Sequence, residues 1–156
     1  GDRPIAERSI GAMVKEIQFT TEKKIKKIVR FGIEQGASNQ EIAEQLERSA
    51  AFRPSRARLI AQTETTSAIN RATNQAYVRF QEEEDDVEIL KQWIASGDDR
   101  VRELHKDLAR KDPIPVDSDF SIAGYRGPAP AAFDAAEMDI NCRCTIAPIV
   151  QIKDDQ

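Results

Sequence analysis

The chain has 156 residues, 23 of them basic and 27 acidic, for a net charge of -4. That length suits one compact domain, or a domain with an appended arm, and the charge balance excludes a field that would gather nucleic acid over the whole surface. Charged residues make up 32% and the hydrophobic set 40%, enough to bury a core, while no apolar run approaches the ~20 residues of a membrane span and no signal peptide is visible.

The first residues, Gly1-Asp2-Arg3-Pro4, lack a methionine. Gly1 reads as a cloning remnant and the whole as a piece of a longer protein, soluble and cytoplasmic in origin. Ile5 to Ile33 is expected to form a long helix, because Ile10, Met13, Val14, Ile17, Ile25, Ile28 and Val29 recur at helical spacing. Its lysines fall outside that stripe. Lys23, Lys24, Lys26, Lys27 and Arg30 form a local basic patch, either a solvated helix face or a DNA contact. Gly36 punctuates the helix, and Ser38 with Glu41 is a capping-box pattern opening a short helix on Ile42, Ala43 and Leu46.

Pro54 suits the first turn of the next helix, which is expected to run to about Phe80. Ala57, Ile60, Ala61, Ala68, Ala72 and Ala76 make a stripe of small residues that another element can approach closely. Glu64 is spaced to lie on it. A carboxylate there must be paired or hydrogen-bonded, as a structural ion pair or as a catalytic group with a raised pKa. After the acidic run Glu82 to Asp86, the alternation of Val87, Ile89, Lys91 and Trp93 predicts a strand to Ala95. Ser96-Gly97-Asp98-Asp99 should then turn into a helix, with Ser96 as cap and both aspartates at its positive end. Val101, Leu104, His105 and Leu108 share one face of that helix. Lys111 to Asp139, with four prolines, is expected to be loop anchored by Phe120, Ile122, Tyr125 and Phe133. Ile140 to Ile152 alternates and ends in a strand that should pair with Val87–Ala95.

Trp93 to His105 and Asn141 to Cys144 hold the only tryptophan, the only histidine and both cysteines. Either these blocks meet in one site, or they make the small core that locks the second half. His105 on an apolar face is a neutral core histidine or a general base without an obvious partner. Cys142 and Cys144, on an extended segment, would turn both thiols to one side and Arg143 to the other. They could pack against Trp93 as small hydrophobes, serve as half of a Cys/His nucleophile pair, or complete a zinc site with His105 and one of Asp98, Asp99 or Glu64. The last is weakened by spacing, since paired zinc cysteines usually have at least two residues between them. Two cysteines this close are no secreted disulfide scaffold. Arg100, Arg102 and Arg143 against Glu64, Asp98 and Asp99 would make a charge network, and losing one partner would cost about 3–5 kcal/mol if it is fully buried.

Arg58 to Thr65 with Asn70, the run Trp93 to His105, Phe120, and Asn141 to Cys144 with Pro148 together resemble the phage Mu F-like head morphogenesis family of minor head, or minor capsid, proteins. The resemblance covers roughly Arg56 to Pro148. It implies a low-copy phage or prophage head component that associates with the portal during procapsid assembly, with DNA as a further candidate partner, located in the virion and in the host cytoplasm during assembly. The family positions carried over are Thr63, Glu64, Trp93, Asp98, Arg100, Arg102, His105, Cys142, Arg143 and Cys144, with no settled enzymatic role. Some relatives carry a toxin module, for which this chain has no room. One departure is Asp107-Leu108-Ala109, where the family often has glycine after the leucine.

The expected fold is α+β: a helical arm over residues 1–53, then a domain over 54–156 with a long helix packed on a small antiparallel sheet. No catalytic residue, metal or cofactor is assigned, and no membrane contact. His105, Cys142 and Cys144 stay as the candidate metal ligands. The alternative is a small metal-dependent or Cys/His hydrolase using those three residues and Glu64.

Overall fold

The computed structural model describes residues 22–50, 52–97 and 102–153. Ile5, Ile10, Met13, Val14 and Ile17, expected on the first helix, lie outside the described residues, as do Asp98, Asp99, Arg100 and Val101. The chain divides into two compact units, one up to Ala61 and one from Gln62.

In the first unit, residues 22–34 form helix α1. It stops as its sequence dictates: Gly36 takes φ +72, Gly36 N–H donates to Ile33 O and Ala37 N–H to Gly32 O, which satisfies two terminal carbonyls at once. α2 follows at Asn39–Ala50. Ser38 caps it, its hydroxyl accepting the Glu41 N–H at 3.1 Å. The Glu41 carboxylate completes the pairing by accepting from that same hydroxyl at 3.2 Å. Val29, Ile42, Ala43 and Leu46 are buried together with Ala57 and Ala61 of α3 (Pro54–Glu83). The first turns of α3 therefore complete the first unit's core, and its small residues there work as expected.

In the second unit the stripe changes character. Ala68, Ala72 and Ala76 are exposed, against expectation, and the buried positions of α3 are Thr65, Asn70 and Asn74, with Tyr77 half-buried. At Asn70 and Asn74 the reason is chemical: they meet backbone carbonyls and a buried ammonium, which need polar partners. Strands β1 (Val87–Ile94) and β5 (Thr145–Ile152) pair antiparallel over their whole length, from Val87 against Ile152 to Ile94 against Thr145. β2 (Ile114–Pro115) pairs on the other edge of β1, giving the order β2-β1-β5. The long helix packs on strands and the class is α+β, as the sequence indicated.

Helix α4 starts at Glu103 with Arg102 as an extended N-cap and no side-chain capping bond, so the expected cap at Ser96 is not used. The stretch expected to be loop holds β2, a hairpin of β3 (Phe120–Ile122) and β4 (Tyr125–Gly127), and the short helix α5 (Ala136–Asp139). Ala123 and Gly124 join the hairpin with φ 51 and 85, the two positive angles a tight turn between twisted strands requires. The predicted anchors hold: Phe120 and Phe133 are in the core, and Ile122 and Tyr125 pack against it.

Candidate functional site

The two rare-residue blocks meet. β1 delivers Trp93 and α4 delivers His105. The run Asn141 to Cys144 before β5 delivers buried Cys142 and Cys144, with Arg143 exposed between them. All four inward residues are buried, with Trp93 and Cys142 at 1% exposure, His105 at 2% and Cys144 at 3%. The Trp93 ring lies 5.3 Å from His105, 5.1 Å from Phe120 and 5.9 Å from Phe133, the last two edge-on. His105 Nδ1 faces both sulfurs, 3.6 Å from Cys144 Sγ and 3.9 Å from Cys142 Sγ. Leu108, Met138 and Ile146 close the apolar shell.

Helix α3 holds the cysteine segment at both ends. The Thr63 hydroxyl accepts the Asn141 N–H at 3.0 Å, and Asn70 Nδ2 donates to Cys144 O at 3.1 Å and to Pro130 O at 3.0 Å. Arg102 grips the same segment by donating to Ile140 O. Asp139 fixes the approach to it, accepting the Phe133 and Ala135 N–H groups.

The thiols share their protons unequally. Cys144 is pushed down to about 4, first by the hydrogen bond from the Cys142 thiol, then by His105, with burial opposing. Cys142 is pushed up by that same bond and by burial. The Trp93 indole N–H pulls on Cys144 without a hydrogen bond of ordinary geometry, and Trp93 Nε1 and His105 Nε2 are buried with no partner among the described residues. One nitrogen and two sulfurs, all within 4.8 Å of one another, could hold a metal ion. Alternatively a thiolate beside an imidazole is nucleophilic, and here both sulfurs are buried. Glu64, half-buried on α3, stands outside this cluster.

Of the charge network anticipated, Glu64 and Arg102 are half-buried and Arg143 is exposed, while Asp98, Asp99 and Arg100 lie outside the described residues. Among the described residues the deeply buried charge is Lys91, in the middle of β1 and 0% exposed. Its ammonium donates to Pro128 O at 2.7 Å and to Asn74 Oδ1 at 3.0 Å, and sits 5.1 Å over the Phe120 ring. Burial pushes its pKa down to about 8, with Asp119 and Asp117 opposing. The signal for it was in the strand alternation, which sets Lys91 between Ile89 and Trp93 on one face. The i, i+4 spacing of Asn70 and Asn74 was the matching signal on α3.

Residues 23–147 match the family described as Phage Mu protein F like protein. The chain is 32% identical over 119 residues to the NAD(+)–arginine ADP-ribosyltransferase EFV of Enterococcus faecalis, a match covering 76% of this chain and 24% of that protein. It is 30% identical over 139 residues to an uncharacterized protein of Haemophilus influenzae, covering 88% of this chain and 27% of that one. The chain thus spans about a quarter of the length of the curated relatives it matches. No solved structure matches it at a significant level.

Proposed function

The chain belongs to the Phage Mu protein F like family, matched over most of its length, and from that premise we propose that it acts in a low-copy minor head protein of a phage or prophage during procapsid assembly. Its partners in this reading are the portal protein and other head proteins. Its place is the head interior at the portal vertex, reached from the host cytoplasm during assembly. The observation that carries the structural side is where the reactive residues are. His105, Cys142 and Cys144 are buried in the aromatic cluster, and Lys91 is buried against Pro128 O and Asn74 Oδ1, so none of these reactive groups lies on an open surface. The transferase name of the Enterococcus relative belongs to a protein of which this chain matches 24%, and is not carried here. No described helix is long and apolar enough to cross a membrane.

Heads purified from cells producing the phage should contain the full-length protein at low copy, and deleting its gene should remove it from procapsids and lower the infectious yield. A protein confined to the soluble fraction, with yield unchanged on deletion, would overturn this reading.

Lys23, Lys24, Lys26, Lys27 and Arg30 are all exposed on α1 and are the candidate DNA contact. Fluorescence anisotropy on a short duplex should show affinity falling with salt, each neutralised phosphate contributing about 0.9 to the log–log slope. Replacing all five with glutamine should flatten that slope. An unchanged slope removes this patch from the account.

A further inference from the structure

We propose that His105, Cys142 and Cys144 form a zinc site that staples α4 to the segment leading into β5. Three independent features support it. The first is distance. A tetrahedral zinc with sulfur and imidazole ligands at ordinary bond lengths puts nitrogen and sulfur ~3.6 Å apart, and the structure has 3.6 and 3.9 Å from Nδ1 to the two sulfurs. The second is direction. Cys142 and Cys144 are both buried with the exposed Arg143 between them, so the one-residue spacing puts both thiols on the inner side. Thr63 and Asn70 clamp that segment from α3 at its two ends, fixing the sulfurs before any metal arrives.

The third feature is charge. Two thiolates neutralise Zn²⁺, so the complex enters the shell of Trp93, Leu108, Phe120, Phe133 and Met138 without net charge, where a lone thiolate would be stranded. Two soft sulfurs and an imidazole also select zinc over the hard cations. Three protein ligands leave the fourth position to water. With Nδ1 on the metal, the proton moves to Nε2, which has no acceptor among the described residues. Metal-bound histidines usually have one, and its lack costs about 10–100-fold in affinity. The site is therefore weaker than a fully supported four-ligand one.

The test uses the whole chain, purified without chelator. Native mass spectrometry should show one zinc per chain, removable with a chelator and restored by Zn²⁺ alone. Cobalt(II) added to the stripped protein should give the strong visible absorption of a tetrahedral site and a near-ultraviolet thiolate-to-metal band. That band should weaken in both Cys142→Ser and Cys144→Ser, with affinity lower by more than roughly 100-fold. Should either variant not fold, the wild-type protein still decides: Zn²⁺ should slow thiol modification and raise Tm. A folded wild-type chain that holds no stoichiometric metal, or whose thiols react at one rate with and without Zn²⁺, overturns the proposal. So does a Cys142–Cys144 disulfide in the protein as purified.

Discussion

Trp93→Ala should cost the second unit about 3–5 kcal/mol, the range for truncating a large buried aromatic. Trp93 is 1% exposed and touches elements far apart in sequence: His105 on α4, Phe120 on β3 and Phe133 before α5. Neither of the last two can move into the space, since each is fixed by its own strand or loop, so most of the cavity persists. Two edge-on ring pairs are lost as well, each worth about 0.5–1.5 kcal/mol beyond area. Against a total stability of about 5–15 kcal/mol for a domain, the variant should be marginal or unfolded at 37 °C. Urea unfolding followed by far-ultraviolet circular dichroism measures it, with Phe31→Ala, 63% exposed in the first unit, as the neutral control. A loss under 1 kcal/mol would mean the cluster is not packed as described.

Lys91→Met should be nearly silent at pH 7 and clearly destabilising at pH 10. Below pH 8 the lysine is charged in both folded and unfolded states, and the folded state bears the whole cost of a buried ammonium. Between about 8, the folded value, and 10.5, the unfolded one, the unfolded chain binds more protons, so stability rises with pH. Above that window the cost is gone, a gain of roughly 3 kcal/mol over the full span. The neutral amine still has two hydrogens for its two acceptors, Pro128 O and Asn74 Oδ1. Methionine removes the charge but strands both acceptors, at about 1–3 kcal/mol each. At pH 7 these terms offset; as pH rises only the stranded acceptors remain. Unfolding free energies of both proteins at pH 7, 8, 9 and 10 decide it, and parallel curves would sink the account.

Periodicity carried the reading wherever a face is uniformly apolar. Ile42 and Leu46 on α2, the pairing of β1 with β5, and the anchors Phe120 and Phe133 were all legible in the sequence. So was the meeting of the two rare-residue blocks, as one of two alternatives. Where burial is polar, periodicity misleads. Ala68, Ile69, Ala72 and Ala76 are the apolar residues from 68 to 76, yet Asn70 and Asn74 face inward, because the groups opposite them are carbonyls and an ammonium. Those groups belong to residues 130 and 144 and to Lys91, and no local pattern announces partners so distant. The strands between Lys111 and Asp139 were hidden for another reason: at two or three residues each, they are shorter than any period that could reveal them. The expected cap at Ser96 failed because Arg102, not the serine, precedes the helix.

The pairing of β1 with β5 sets how the second unit is reached as well as what it is. Its innermost rung, Ile94 to Thr145, already encloses about fifty residues, and every further rung encloses more, so closing the loop costs roughly 3.5 kcal/mol before a single contact rewards it. The hairpin at Ala123–Gly124 and the turns of α3 have no such delay and can form first. Refolding should therefore be paced by topology, in the millisecond-to-second range of non-local β structure. Until β5 arrives, Ile146, Ile149 and Val150 form an unpaired apolar strand, a template for other copies of the chain. Pro148 sits in its middle without an N–H to offer, which blunts that template during the interval when the chain is most exposed to it.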